Sequence, residues 1–188
     1  MFVKRSLVVA AALALASWSA GGSASAQEFT LSSSTFKDGG MLAKKNAGQR
    51  ADNPNCVGEN VSPPLAWTNV PAAAKSLAIL MIDPEGRGGA GVVHWIAYGI
   101  PTSVTGFAEG EVSKPSDKYV GGKGTQGQPT YQGPCTPAGP PHHYTFILLA
   151  LDVDAKELPP GLTREEFHTK TTGKAKGATG LIGLWKKP

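Results

Sequence analysis

Residues 81–100, MIDPEGRGGAGVVHWIAYGI, constrain this chain more than any other stretch. An unbroken apolar run from Leu77 to Ile82 leads into Asp83 and Glu85. A glycine-rich loop follows, Gly86 to Gly91, and a second apolar segment runs from Val92 to Ile100. An apolar run of strand length without polar alternation reads as a strand buried on both faces. Two such runs joined by a glycine-rich loop read as a hairpin. Two carboxylates and His94 are thereby predicted at one end of a sheet. With a period of two, His94, Ile96 and Tyr98 are expected on one face, and Val93, Trp95 and Ala97 on the other.

The rest of the chain follows the same β grammar. Its 24 glycines and 15 prolines are spread along the 188 residues rather than gathered in a linker. That suits one turn-rich, mainly β domain over residues 27–188. Glu28 to Leu31 is a short strand candidate, and residues 32–60 read mostly as loop. Pro63 and Pro64 exclude a helix or a central strand, leaving an extended segment that carries Leu65 and Trp67 to one side. Tyr144 to Val153 is a third strong strand and Thr179 to Trp185 a last one. One helix is predicted: Thr163 and Glu166 form a capping box, and the helix should run to about Thr172 and stop at Gly173.

Lys4 and Arg5, the apolar run Leu7 to Ala16 and Ala24-Ser25-Ala26 have the three-part pattern of a secretory signal peptide over residues 1–26. No cysteine closely follows that cleavage site and no other apolar stretch is long enough to span a membrane, so no stable membrane anchor is expected. The chain is expected in the periplasm or secreted. Without Lys4 and Arg5 the 18 basic residues fall to 16 against 14 acidic ones, a net charge of +2. Near-neutral charge, scattered lysines and no aromatic–basic interleaving argue against a nucleic-acid partner. An exported chain with two cysteines favours a Cys56–Cys135 bridge over two free buried thiols.

If residues 77–82 and 93–100 pair antiparallel, and the strand from Tyr144 runs parallel to the second, then Asp83, Glu85, His94, His142 and Tyr144 gather at one sheet end. Histidines supply N–H donors and can turn cationic, a neighbouring carboxylate fixes their tautomer, and tyrosine adds a hydroxyl. The Gly-Pro-rich loop before His142 can lend backbone amides. This set suits a small oxyanion such as phosphate or a phospholipid headgroup. No metal is expected, since the spacing matches no His-x-x-x-His type of motif. A serine hydrolase lacks its Gly-x-Ser-x-Gly elbow, and a bridged Cys135 is no nucleophile.

Five motifs then resemble one family. They are Gly-x-Asn-x-Ser-Pro-Pro-Leu-x-Trp at 58–67, Asp-Pro-Glu at 83–85, His-Trp at 94–95, Gly-Pro-Cys-x-Pro at 133–137 and His-x-Tyr at 142–144. In this order they resemble the phosphatidylethanolamine-binding proteins, above all the bacterial Raf-kinase-inhibitor-like branch. The resemblance implies a large antiparallel sheet packed with a smaller one and few helices. It also implies an anion pocket carried by Asp83, Glu85, His94, His142 and Tyr144, with Gly133 and Pro134 on its wall. Three departures stand out: Glu85 in place of a second Asp, Gly86-Arg87-Gly88-Gly89 in place of Ala-Pro, and His143 in place of an arginine. The expectation is a non-enzymatic anion-binding protein without a cofactor. The alternatives are an envelope protein-interaction or protease-inhibitor module acting through loops 32–60 and 101–132, and a hydrolase using the His/acid cluster. A homodimer is left open.

Overall fold

A computed structural model describes residues 27–188; the signal-peptide reading concerns residues 1–26, outside the described residues. In chain order the elements are β1 (Thr30–Ser32), β2 (Gly40–Met41), β3 (Leu65–Thr68), β4 (Ser76–Asp83), β5 (Val92–Pro101), β6 (Gly106–Phe107), β7 (Val120–Gly121), β8 (His142–Leu151), α1 (Arg164–Thr171) and β9 (Ala175–Trp185). A six-stranded sheet has the order β2-β9-β8-β4-β5-β7, and a three-stranded sheet the order β1-β3-β6. All pairings are antiparallel except β2 with β9. The large-plus-small sheet architecture expected from the sequence is what forms.

The unbroken apolar run of β4 has a direct cause. Leu77, Ile79 and Met81 face the core shared with the small sheet, while Ala78 and Leu80 face a second core under α1. A strand buried on both faces loses its alternation. In the first core Trp95 meets Phe107 of the small sheet edge-on at 5.9 Å, and Phe107 meets Trp67 at 5.4 Å. In the second, Phe167 of α1 stacks on Tyr98 at 5.5 Å. The Tyr98 hydroxyl donates to the Pro159 carbonyl and accepts from the Leu162 amide, tying the helix approach to the sheet.

The predicted capping box closes α1: the Glu166 amide donates to Thr163 Oγ1, and the Thr163 amide to Glu166 Oε2. Gly173, at φ +75°, ends the helix in the left-handed region. β9 begins at Ala175, four residues before the expected Thr179. Its first half lacks large apolar side chains, and backbone pairing with β8 holds it instead. β1 lies slightly later than Glu28–Leu31, and β2 sits inside the expected loop, paired in parallel with the end of β9.

One expectation fails at the position that matters most. In the β4–β5 ladder Met81 pairs with Trp95 but Ile82 pairs with Val93, so His94 is the extra residue of a β-bulge. Alternation breaks there, and His94 turns to the small-sheet side with Trp95, away from Ile96 and Tyr98. A bulge re-aims a side chain in this way.

Candidate functional site

The antiparallel order brings the end of β4 beside the starts of β5 and β8. Asp83 closes β4 opposite Val92, and its neighbour Ile82 lies opposite Thr145. Asp83 is buried and its carboxylate accepts three hydrogen bonds. Oδ1 accepts the amides of Glu85 (3.0 Å) and Gly86 (2.9 Å), and Oδ2 lies 2.9 Å from His142 Nδ1. An aspartate that folds the following turn onto its own side chain is common in such loops. A carboxylate only accepts, so the His142 proton on this side sits on Nδ1. His94 is fixed likewise: its Nδ1 lies 2.8 Å from the Gln132 carbonyl, which also only accepts. Both imidazoles therefore keep Nε2 for the cavity their residues line. Burial pushes the His94 pKa down, against the Gln132 carbonyl and the Asp83 charge, so His94 favours its neutral form.

The cavity measures about 220 Å³ and is bounded by Asp83, Gly86, Arg87, His94, Thr136, His142 and Tyr144, among others. Two hydroxyls behind this wall, Tyr144 Oη and Thr136 Oγ1, are buried without a hydrogen bond of good geometry, although Tyr144 Oη lies near both Thr136 and Asp83. Burial, joined by the Asp83 charge, raises the Tyr144 pKa, which keeps its hydroxyl protonated as a donor. An unpartnered buried hydroxyl costs about 1–3 kcal/mol, so two around one small cavity need a physical explanation.

The far wall is held from outside. Cys56 and Cys135 form a disulfide bridging 79 positions. Asn60, at φ +55°, accepts the Gly133 amide on Oδ1 and donates from Nδ2 to the Tyr131 carbonyl. The Gly-x-Asn motif thus clamps the 131–135 segment that presents Thr136.

Asp83, His94, His142 and Tyr144 come together as expected from the sequence. The other three do not line the cavity. Glu85 sits at the rim, with Oε1 2.6 Å from His143 Nδ1 and Oε2 accepting the His143 amide. Burial opposes ionisation of Glu85, but the hydrogen bonds from His143 and from its own loop outweigh it and hold its pKa at about 2. Gly133 is required by close backbone approach: a Cβ there would lie 2.2 Å from the Asn46 carbonyl oxygen. Pro134 serves through its carbonyl, which accepts the Gly48 amide at 2.8 Å. Thr136 takes their place on the wall; its only trace in sequence is the variable position of Gly-Pro-Cys-x-Pro. Asp83, Glu85 and His142 each offer a metal-ligating atom within 4.8 Å of the other two. Among the atoms these groups present, Asp83 Oδ2 and Glu85 Oε1 already face imidazole protons, so a cation would compete with both hydrogen bonds.

Comparison with known proteins agrees with the fold. The phosphatidylethanolamine-binding protein family model matches residues 32–186. A UPF0098 protein of Methanothermobacter thermautotrophicus is 39% identical over 134 residues, covering 70% of this chain and 87% of the relative. The candidate lipoprotein LppC of Mycobacterium tuberculosis is 36% identical over 162 residues, covering 86% of this chain and 74% of the relative. Among solved structures, the phosphatidylethanolamine-binding protein homologue CT736 of Chlamydia trachomatis superposes with a TM-score of 0.72 at 31% identity, covering 85% of this chain and 98% of its own. YbcL of Escherichia coli gives a TM-score of 0.75 at 26% identity, covering 85% of this chain and 99% of its own. With most of the described residues matched by the family model, the chain belongs to the phosphatidylethanolamine-binding protein family.

Proposed function

We propose that this chain is an exported, non-catalytic binding protein for small oxyanions of the phosphate type. The anion sits between His94, His142, Tyr144 and Thr136. The observation that carries this reading is the 220 Å³ cavity bordered by His94, His142, Tyr144 and Thr136, with both imidazoles anchored through Nδ1 so that Nε2 is left unused. A monohydrogen phosphate matches this set, because neutral His94, with its proton on Nδ1, can only accept the ligand's O–H on Nε2, while the bare phosphate oxygens need donors. The volume suits a headgroup rather than a whole lipid, since pockets for drug-sized ligands start at about 300 Å³. Protonated Nε2 of His142 would donate to the anion, with Asp83 supporting the positive ring from behind.

Export is supported by the leader pattern of residues 1–26, by the Cys56–Cys135 disulfide and by the lipoprotein designation of the mycobacterial relative. The site chemistry offers no preformed covalent nucleophile of the thiol or serine–histidine kind. Cys135 is bridged, and among the described residues no serine hydroxyl is hydrogen-bonded to His94 or His142.

Isothermal titration with inorganic phosphate at pH 6 and pH 8 tests the reading. Saturable one-to-one binding is expected, weakened about tenfold or more in His142→Ala by loss of a charge-assisted donor. Tyr144→Phe should weaken binding while leaving the free protein at least as stable, because the lost hydroxyl made no hydrogen bond of good geometry. Absence of binding at both pH values, or phosphatase or esterase turnover abolished by Asp83→Ala, would overturn it.

A further inference from the structure

Arg87 is conformationally out of place. It lies at φ 55°, ψ 38°, in the left-handed region, ahead of Gly88 at φ +67° and Gly89 at φ +91°. Glycine fits that region without strain, whereas an arginine is strained there. Strained non-glycine residues tend to persist where their side chain is used. Arg87 is exposed, and among the described residues its guanidinium makes no ion pair and no hydrogen bond. The two nearest sequence carboxylates are already engaged, Asp83 by His142 and Glu85 by His143.

Arg87 also belongs to two cavities at once. It borders the anion pocket on one side. On the other it borders a groove of about 300 Å³ with Lys123, Thr125, Thr163, Arg164 and Glu165. That groove holds three cationic side chains against one carboxylate, and among the described residues Lys123 and Arg164 also lack ion-pair partners.

We propose that Arg87 is the specificity-determining residue of the pocket and that, with Lys123 and Arg164, it forms a second anion subsite. The ligand class that fits has two anionic centres: a phosphate-type group in the pocket and a carboxylate or second phosphate over Arg87. Phosphates whose second arm carries an ammonium are disfavoured by the same cations. This inference rests on the proposed anion-binding function and narrows its ligand.

The test titrates the intact exported chain with inorganic phosphate, phosphoglycolate and phosphoethanolamine at neutral pH and low salt. The readout is the ratio of dissociation constants for the two organic phosphates, in the wild type and in Arg87→Gly. Phosphoglycolate should bind about fivefold or more tighter than phosphoethanolamine, as one partly exposed charge pair gained and one repulsion avoided allow. The ratio should collapse towards one in Arg87→Gly, and shrink in the wild type as salt is added. Arg87→Gly relieves the left-handed strain, so its melting temperature should not fall, and a lost preference cannot be put down to misfolding. Equal or tighter binding of phosphoethanolamine overturns the proposal, as does a preference that survives in Arg87→Gly. Ordinary phosphate binding without preference removes only this inference; no binding of any probe removes the proposed function with it.

Discussion

Replacing Asp83 separates its structural role from its electrostatic one. The carboxylate accepts three hydrogen bonds, from the Glu85 amide, the buried Gly86 amide and His142 Nδ1. Hydrogen bonds to a charged group contribute about 1.5–3 kcal/mol each, and a buried donor left bare costs about 1–3 kcal/mol. Water entering from the open cavity can replace the partner of His142 but not readily that of the Gly86 amide, whose bond to Asp83 is buried. Asp83→Ala should therefore destabilise the fold by about 3–4 kcal/mol, less than the full sum of three such bonds. That corresponds to a melting temperature lower by roughly 10 °C for a chain of this size. Asp83→Asn keeps the shape and one acceptor oxygen, so its cost should be only about 1–2 kcal/mol. It has a second consequence. The asparagine amide turned to His142 is a donor, so neutral His142 must accept on Nδ1 and carry its proton on Nε2. Urea denaturation gives the stabilities, and nitrogen chemical shifts of the His142 ring give the tautomer. Wild-type His142 in the Nε2–H form, or Asp83→Ala as stable as the wild type, would refute the reasoning.

Three further outcomes follow from the same contacts. Burial lowers the folded pKa of His94 below its ordinary 6.5, so the unfolded chain binds the extra proton first as pH falls. Stability should then drop from about pH 6.5 downward, by up to ~1.4 kcal/mol per pH unit, and be complete above that range; unfolding curves between pH 7.5 and 5 check it, and a flat profile contradicts it. Breaking the Cys56–Cys135 bridge by the double serine variant should cost about 4 kcal/mol in the chain-entropy account of a long closed loop, and should weaken phosphate binding by loosening Thr136. Gly133→Ala drives a Cβ against the Asn46 carbonyl and should cost roughly 2–4 kcal/mol, whereas Gly88→Ala meets open space and carries only its left-handed strain of about 1 kcal/mol; thermal melts of the two variants separate the cases.

What could be read from sequence was what local rules govern. The apolar run of β4, the capping box of α1 and the convergence of Asp83 with His142 and Tyr144 depend on period, cap chemistry and strand direction. The bulge at His94 was not legible, because it is defined by which β4 residue lies opposite, not by the β5 sequence. β2 is two residues long and pairs with a strand more than 140 positions away, so no local pattern marks it. Gly133 and Pro134 sit beside the pocket in sequence but face the Asn46–Gly48 backbone, a contact set by the Asn60 clamp and the disulfide. Thr136 was hidden for the complementary reason: a threonine among prolines and glycines looks like any turn residue until its hydroxyl is found buried and alone.

The central claim is that the cavity between β4, β5 and β8 binds a small oxyanion. A phosphate titration followed by amide and ring resonances of the labelled protein tests it most directly. Saturable shifts should appear at Gly86, Arg87, Thr136, His142 and Tyr144, and vanish in His142→Ala. A spectrum unmoved by phosphate, or one whose changes fall on the α1 face around Phe167 and His168 instead, would contradict it.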